Sequence, residues 1–277
     1  MRTSSVNNCG KKRRINPEKN ENERCDGGHS RGRISVVGIG PGALEYMTPK
    51  AKQEIERADI IVGYATYVKL VRSIIKPDAE VISGRMGREV ERARIAVMYA
   101  LENKHVVVIS SGDPGVYGMA GVVLEVAALE NAEVPIEIVP GVTAATATAS
   151  KLGAPIVGDF AVISLSDLLT PWSVIEKRLE FAAEADFVIV LYNPQSPGRK
   201  EPLAKAYEIL LRHRSPETPV GIVRLAGRDG EKTAITTLKE MLDAEIDMVT
   251  TVIVGNSTTR IVNKRMITPR GYDLFQT

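Results

Sequence analysis

From Arg33 onward the chain alternates short runs of β-branched residues with stretches of helical periodicity, and that alternation leaves few folds open. ISVVGI (34–39), DIIVG (59–63), AEVIS (79–83), HVVVIS (105–110) and VPIEIVP (134–140) read as the strands of a first half. FAVISLS (160–166), DFVIVLY (186–192), PVGIVRL (219–225) and TTVIVGN (250–256) read as those of a second. Helices are expected at 49–57, 88–102, 171–185, 201–213 and 237–243. Thr48-Pro49 and Thr170-Pro171-Trp172 each place a capping residue before a proline suited to a helix start. Within 88–102, Val90, Ala93, Ile95, Val97, Met98 and Leu101 fall largely on one side, which predicts that side as the packed one. At 277 residues the chain can bury two modest cores. The expected fold class is α/β: two α/β domains, 33–154 and 155–277, with a ligand cleft between them and LGAPIVG (152–158) as the linker.

Residues 1–32 read differently. They lack apolar periodicity and are expected to form a disordered basic tail. Residues 1–31 hold 8 Lys/Arg against 4 Asp/Glu, which leaves 28 against 30 in the remainder. The tail therefore carries the positive excess behind the net charge of +2, and a near-neutral folded part argues against nucleic acid as a partner. KKRR (11–14) reads as a solvated basic run. No signal-peptide core or membrane-length apolar stretch is seen, so no membrane partner is expected. Cys9 and Cys25 both lie in the tail, which excludes a core disulfide or thiol nucleophile and suits a reducing cytoplasm. Cys25 and His29 have ligand-like spacing but no third ligand, so no metal site is expected.

RISVVGIGPGALEYMTP (33–49) runs a strand into a glycine-rich turn. Gly38, Gly40 and Ala43 fit a dinucleotide fingerprint, but the context opposes an NAD-dependent oxidoreductase. The second strand ends in GYAT with no acid to hold a ribose. Pro41 removes an N–H that a pyrophosphate would use, and the helix signal comes only at Thr48-Pro49, too late to aim at a phosphate. Three more turns follow strand ends: SSGDPGVYG (110–118), PGVTAATATAS (140–150) and LYNP (191–194). Ligands of open α/β sheets bind at such carboxyl ends.

Taken together, GIGPG, SGDPGVYG, PGVTA and LYNP resemble the tetrapyrrole (class III) methyltransferases that use S-adenosylmethionine, over nearly all of 33–277. Several stretches are similar to the branch of that family acting at C17 of precorrin-3B or cobalt-factor III in cobalamin synthesis. These are GYATYV (63–68), GREVERARIA (87–96), SDLLTPW (166–172), LYNPQSPGR (191–199), GIVRLAGRDGE (221–231), VGNSTTR (254–260) and MITPRGY (266–272). Other branches methylate a different precorrin or sirohaem precursor position, or a protein residue.

The resemblance implies that GxGPG borders the inter-domain cleft and that the methyl donor is held there mostly by backbone. It carries donor binding onto Pro41, Ser111, Gly112, Asp113, Val116, Thr143, Ala144, Asn193 and Ala226. After GPG most relatives have a small polar or acidic residue, whereas this chain has Ala43-Leu44. The resemblance also implies ring contraction with the methylation, for which an acid/base group helps; Asp113, Tyr117, Ser164 and Glu89 are the candidates. A tetrapyrrole carries carboxylates, for which Arg85, Arg88, Arg199 and Lys200 are candidate clamps. Met86, Met119 and Leu168 are candidates to line its faces. His105 and His213 read as structural. A homodimer is implied, as is a cytoplasmic location. Whether the ring is metal-free or holds cobalt stays open.

Overall fold

The computed structural model describes residues 32–196 and 198–272. The expected tail, with KKRR, Cys9, Cys25 and His29, lies outside the described residues except for Gly32.

The chain forms β1 (Arg33–Gly38), α1 (Pro49–Arg57), β2 (Ile60–Tyr64), α2 (Ala65–Leu70), β3 (Glu80–Gly84), α3 (Glu89–Leu101), β4 (His105–Ser110), α4 (Ala120–Leu129), β5 (Ile136–Val139) and α5 (Ala144–Leu152). It continues with β6 (Gly153–Ala154), β7 (Phe160–Ser164), α6 (Trp172–Glu184), β8 (Val188–Tyr192), α7 (Glu201–His213), β9 (Pro219–Arg224), β10 (Lys232–Thr237), β11 (Thr250–Val254), β12 (Arg260–Val262) and β13 (Arg265–Ile267).

The first sheet has the order β3-β2-β4-β1-β5 and is parallel throughout. Its central strands are apolar on both faces because helices cover both. The two-residue period sorts them cleanly. Ile34, Val36, Ile60, Val62, Val106 and Val108 pack with the residues of α3 and α4. Val37, Ile39, Ile61, Val107 and Ile109 pack with those of α1 and α2. Helix α1 starts where the Thr48-Pro49 signal places it: the Thr48 hydroxyl accepts the Ala51 N–H at 3.2 Å, a cap that contributes about 1 kcal/mol.

The second sheet, β10-β9-β11-β8-β7, is mixed; β7 pairs with β8 in parallel and the other neighbours are antiparallel. One face buries Ile189, Leu191, Val220, Ile222 and Val252 with α6 and α7. The other buries Val188, Val190, Val223 and Ile253 against Ala145, Ala149 and Leu152 of α5. Thus α5, which precedes the boundary expected after Ala154, packs on the second sheet. The expected linker is not a free spacer either, since β6 pairs with β13 near the far end of the chain. The described residues form a single compact unit.

Helix α3 differs from expectation. Its buried face is Arg92, Ala93, Ala96, Val97 and Ala100, while Val90, Met98 and Leu101 are exposed. Alanines let α3 sit close to the sheet and α4; Val97 and Ile95 pack with them, and Val90, Met98 and Leu101 are turned away. The expected helix at 237–243 is a 3₁₀ turn over Leu238–Asp243. Among the described residues no helix is long and apolar enough to cross a membrane.

Candidate functional site

A cavity of about 640 Å³ opens where the carboxyl ends of β1 and β4 face those of β7, β8 and β9. That volume suits a small organic ligand. Its walls are turns, and the backbone there is unusual. Tyr117, Asn193 and Leu225 all have positive φ, at 53°, 50° and 54°, and all three line the cavity. A left-handed tyrosine or leucine costs roughly 1–2 kcal/mol, so the surrounding contacts must hold it in place.

The glycine-rich turn after β1 owes its composition to chain crossing chain. A Cβ on Gly38 would stand 2.6 Å from the Gly112 carbonyl oxygen and 2.8 Å from the Gly141 nitrogen. Gly40 and Gly112 exchange backbone hydrogen bonds of 3.1 and 2.9 Å. Gly42, at φ +151°, clears the path of the Arg228 side chain, whose Cγ would lie 2.5 Å from a Cβ there. Ala43 contributes its N–H, given to the Gly227 carbonyl at 2.9 Å. The turn is thus a junction of three backbone segments as well as a wall of the cavity.

Asp113 joins two of these segments. One carboxylate oxygen accepts the Gly115 N–H at 2.8 Å and the other the Gly141 N–H at 3.0 Å. Both oxygens are therefore committed to loop geometry. Thr143 and Ala144 begin α5, and the Tyr192 hydroxyl reaches them from β8: it accepts the Ala145 N–H at 2.6 Å and bonds the Thr143 hydroxyl at 2.6 Å. Burial pushes the Tyr192 hydroxyl above the ordinary phenol value, and the two hydrogen bonds only partly oppose it. It stays neutral. Tyr117 spans the cleft the other way, its hydroxyl donating to the Val162 carbonyl and accepting the Ser164 N–H, both at 3.1 Å.

The structure brings all nine positions expected to hold the donor onto this one cavity: Pro41, Ser111, Gly112, Asp113 and Val116 from the first half, Thr143 and Ala144 from the start of α5, Asn193 and Ala226 from the second half. Met86, Met119 and Leu168 line it too, as do Glu89 and Tyr117. Ser164 does not; its hydroxyl accepts from Asn193 Nδ2 at 2.9 Å and from the Ser166 N–H at 3.2 Å.

The expected clamps are placed elsewhere. None of Arg85, Arg88, Arg199 and Lys200 lines the cavity. Arg88 is exposed and pairs with Glu91. The Arg199 guanidinium donates to the carbonyls of Leu165 and Asn193, at 2.8 and 3.1 Å, and braces the Asn-Pro turn. It lacks the freedom a clamp needs. Sequence reasoning passed over Arg228, whose Nε donates to the Pro41 carbonyl and whose Nη2 donates to Ser111 Oγ at 3.2 Å. Burial lowers its pKa from the usual arginine value. The signal for it was GRDG (227–230), an arginine between glycines just beyond a strand. Tyr192 was also missed, although LYNP contains it.

The histidines sit away from the cavity. His105 lies at the amino end of β4 and His213 at the end of α7, bonded to Glu180 at 2.8 Å. Asp59 likewise serves the amino end, accepting the His105 N–H at 2.9 Å. Among the described residues no group of three or more His, Cys, Asp or Glu is placed to hold a metal ion.

Two sheets thus meet at a cleft of strand-end turns, with glycines where backbones cross. Residues 33–242 match the family model described as Tetrapyrrole (Corrin/Porphyrin) Methylases, and the chain belongs to that family. It is 50% identical over 241 residues to the "Probable cobalt-factor III C(17)-methyltransferase" of Salmonella typhimurium, covering 87% of this chain and 100% of that one. It is also 50% identical over 246 residues to the "Cobalt-factor III methyltransferase" of Priestia megaterium, covering 87% of this chain. There it spans only 45% of the relative's length. The "Precorrin-3B C(17)-methyltransferase" of a Sinorhizobium species is 41% identical, with 87% and 97% covered. Among solved structures, the methyltransferase CobJ superposes with a TM-score of 0.81 at 37% identity, over 86% of this chain and all of that one. The uroporphyrin-III C-methyl transferase of Thermus thermophilus, complexed with S-adenyl homocysteine, superposes at 0.64 and 26% identity, over 81% and 97%.

Proposed function

We propose that this chain transfers a methyl group from S-adenosylmethionine to C17 of precorrin-3B or cobalt-factor III, with ring contraction, in cobalamin synthesis. The observation that carries this reading is the convergence of the nine donor positions on one cavity, in a chain 50% identical over the full length of a relative named for that reaction. The donor supplies a methyl on a positively charged sulfur, already activated for displacement. The residues present suit it. Ser111, Gly112, Thr143 and Ala144 line the cavity without a charged side chain, and because the sulfonium charge vanishes in the transition state, modest polarity serves better than a strongly anionic wall.

What the protein does is hold two reactants in line. Asp113 fixes the Ser111–Gly115 turn against Gly141, and Tyr192 fixes the start of α5. Of the four acid/base candidates, Asp113 has both oxygens occupied and Ser164 does not line the cavity. Glu89 and Tyr117 remain on the cavity. The Tyr117 O–H is already given to the Val162 carbonyl, which leaves Glu89, held beside Arg92 at 2.9 Å through one carboxylate oxygen, as the acid/base group of this reading.

A second reading, methylation at another tetrapyrrole position, is less well supported. Cobalt precorrin-4 methyltransferase superposes at 0.68 with 28% identity, against 0.81 and 37% for CobJ. The reading also includes a cytoplasmic location and a homodimer; light scattering of the purified chain tests the homodimer. The activity test is incubation with S-adenosylmethionine and precorrin-3B or cobalt-factor III, with mass spectrometry of the product. A ring heavier by one methyl and contracted is expected. Tight NADH binding with no response to S-adenosylhomocysteine would refute the reading.

A further inference from the structure

Four charged side chains line the cavity: Glu89, Arg92, Asp113 and Arg228. Three are occupied within the protein. Arg92 donates to Glu89 at 2.9 Å and to the Arg85 carbonyl at 2.7 Å, and Asp113 receives two backbone N–H groups. Arg228 is the exception. Its partners, the Pro41 carbonyl and Ser111 Oγ, are both neutral, and its guanidinium carbon lies 5.9 Å from the Tyr67 ring centroid. Among the described residues no carboxylate pairs with it.

A cation half removed from water without a counter-ion is costly, and arginine does not escape by losing its proton. The geometry around it is built. Gly42 and its positive φ leave room for the stem, and bonds from Nε and Nη2 fix the plane of the fork. Nη1 makes no hydrogen bond to the described residues. What is left is the Nη1–Nη2 edge of a pre-oriented guanidinium, which matches the two oxygens of a carboxylate.

We infer that Arg228 is the carboxylate-binding residue of this cleft, receiving a carboxylate of the bound ligand on its free edge. This rests on the methyltransferase reading, in which two carboxylate sources enter the cleft: the amino-acid end of the donor and the side chains of the tetrapyrrole. The role expected of Arg85, Arg88, Arg199 and Lys200 then falls to a residue on the opposite loop.

The test is calorimetric titration of the full chain and of Arg228→Gln and Arg228→Lys. The probes are S-adenosylhomocysteine, methylthioadenosine (which lacks the amino-acid carboxylate) and uroporphyrin III, a stable carboxylated ring. Arg228→Gln keeps a donor for Pro41 but no charge. It should weaken one carboxylated probe by about ten- to a hundred-fold and leave methylthioadenosine within about two-fold. Arg228→Lys should recover part of the loss. Loss on S-adenosylhomocysteine assigns the donor's carboxylate; loss on uroporphyrin assigns the ring's. Unchanged affinity for both overturns the inference. So does an equal loss on all three probes, which would make Arg228 a brace between Pro41 and Ser111. Thermal melting checks the fold, and if the glutamine variant does not fold, the lysine variant carries the test through the same probes. A wild-type chain that binds neither S-adenosylhomocysteine nor uroporphyrin would instead overturn the methyltransferase reading, and this inference with it.

Discussion

The two ends of β1 and β4 treat charge in opposite ways. At the amino ends, Glu54 is 1% exposed yet fully engaged. It accepts from Ser35 at 2.8 Å and pairs with Lys50 at 2.9 Å and with Arg33 and His105 at 3.1 Å. Asp59 closes the same cluster from β2's side, holding the His105 N–H and Lys76. At the carboxyl ends, 5 residues further along each strand, there are glycines, bare backbone and a cation with no anion. A buried charge whose partners satisfy it is engaged within the fold, and removing one partner is destabilising. Groups left unsatisfied in a cleft are available to a ligand. The comparison separates stability from binding along the same pair of strands, and variants at each end can test that separation.

The largest effect is expected at the cleft end. Gly38→Val would drive a side chain into the Gly112 and Gly141 backbones, neither of which is the movable end of a side chain. Overpacking of this kind costs roughly 1–3 kcal/mol, and because the displaced turns form the donor wall, S-adenosylhomocysteine affinity should fall by more than about a hundred-fold. Calorimetry and a thermal melt read both quantities; retained affinity would break the comparison. Glu54→Ala comes next and should act the other way. It leaves the part-exposed Arg33 and Lys50 without their carboxylate and the buried Ser35 and His105 without that partner, costing about 1–3 kcal/mol in urea denaturation, while affinity of the folded fraction stays within about two-fold. A parallel loss of binding would mean that the two ends are coupled.

These two ends were not equally readable in the sequence. The cleft end was legible because its demands fall on the backbone, and only glycine tolerates a carbonyl 2.6 Å from where Cβ would be. Three glycine turns and one Asn-Pro turn, after four apolar runs, mark strand ends without any tertiary knowledge. The amino-end cluster was not legible: Ser35, Glu54 and His105 are separated by 19 and 70 residues, and nothing local says that they meet. Arg228 escaped for the same reason, since its partners Pro41 and Ser111 lie 187 and 117 residues away. Helix α3 shows the converse error. Its apolar pattern was real, but packing selected the alanines at 93, 96 and 100 for close approach and left Val90, Met98 and Leu101 outside. Strand β10 and the small pairing of β6 with β13 carry too few apolar residues for periodicity to reveal them.

Acid sharpens the amino-end account. Burial, with Arg33 beside it, holds His105 below the ordinary 6.5, and Glu54 only partly offsets that. For Glu54 burial acts upward, but Lys50, Ser35 and Arg33 outweigh it and hold the carboxyl below the ordinary 4.5. Both folded values are depressed, so both groups contribute stability above their unfolded values and lose it as pH falls. The His105 contribution goes first, below about pH 6.5, and the Glu54 contribution below about pH 4.5. Denaturation midpoints of wild type should therefore drop between pH 7 and pH 5, and those of His105→Gln should drop less. An identical slope in both would remove His105 from the account.

The smallest effect tests the cleft end with a single atom. Tyr192→Phe keeps the ring and its 5.8 Å approach to Tyr117 but removes the hydroxyl that accepts the Ala145 N–H and bonds Thr143. One N–H at the start of α5 loses its acceptor. An unmet hydrogen bond there costs about 1 kcal/mol, part of it regained if water enters the cleft. Thr143 and Ala144 are wall residues, so their loosening should weaken S-adenosylhomocysteine roughly three- to ten-fold while the melting temperature moves by only a few degrees. That ratio is the reverse of the one expected for Glu54→Ala. If Tyr192→Phe instead melts far lower with affinity intact, the hydroxyl belongs with the stability cluster, and the division between the two ends of the strands does not extend across the cleft.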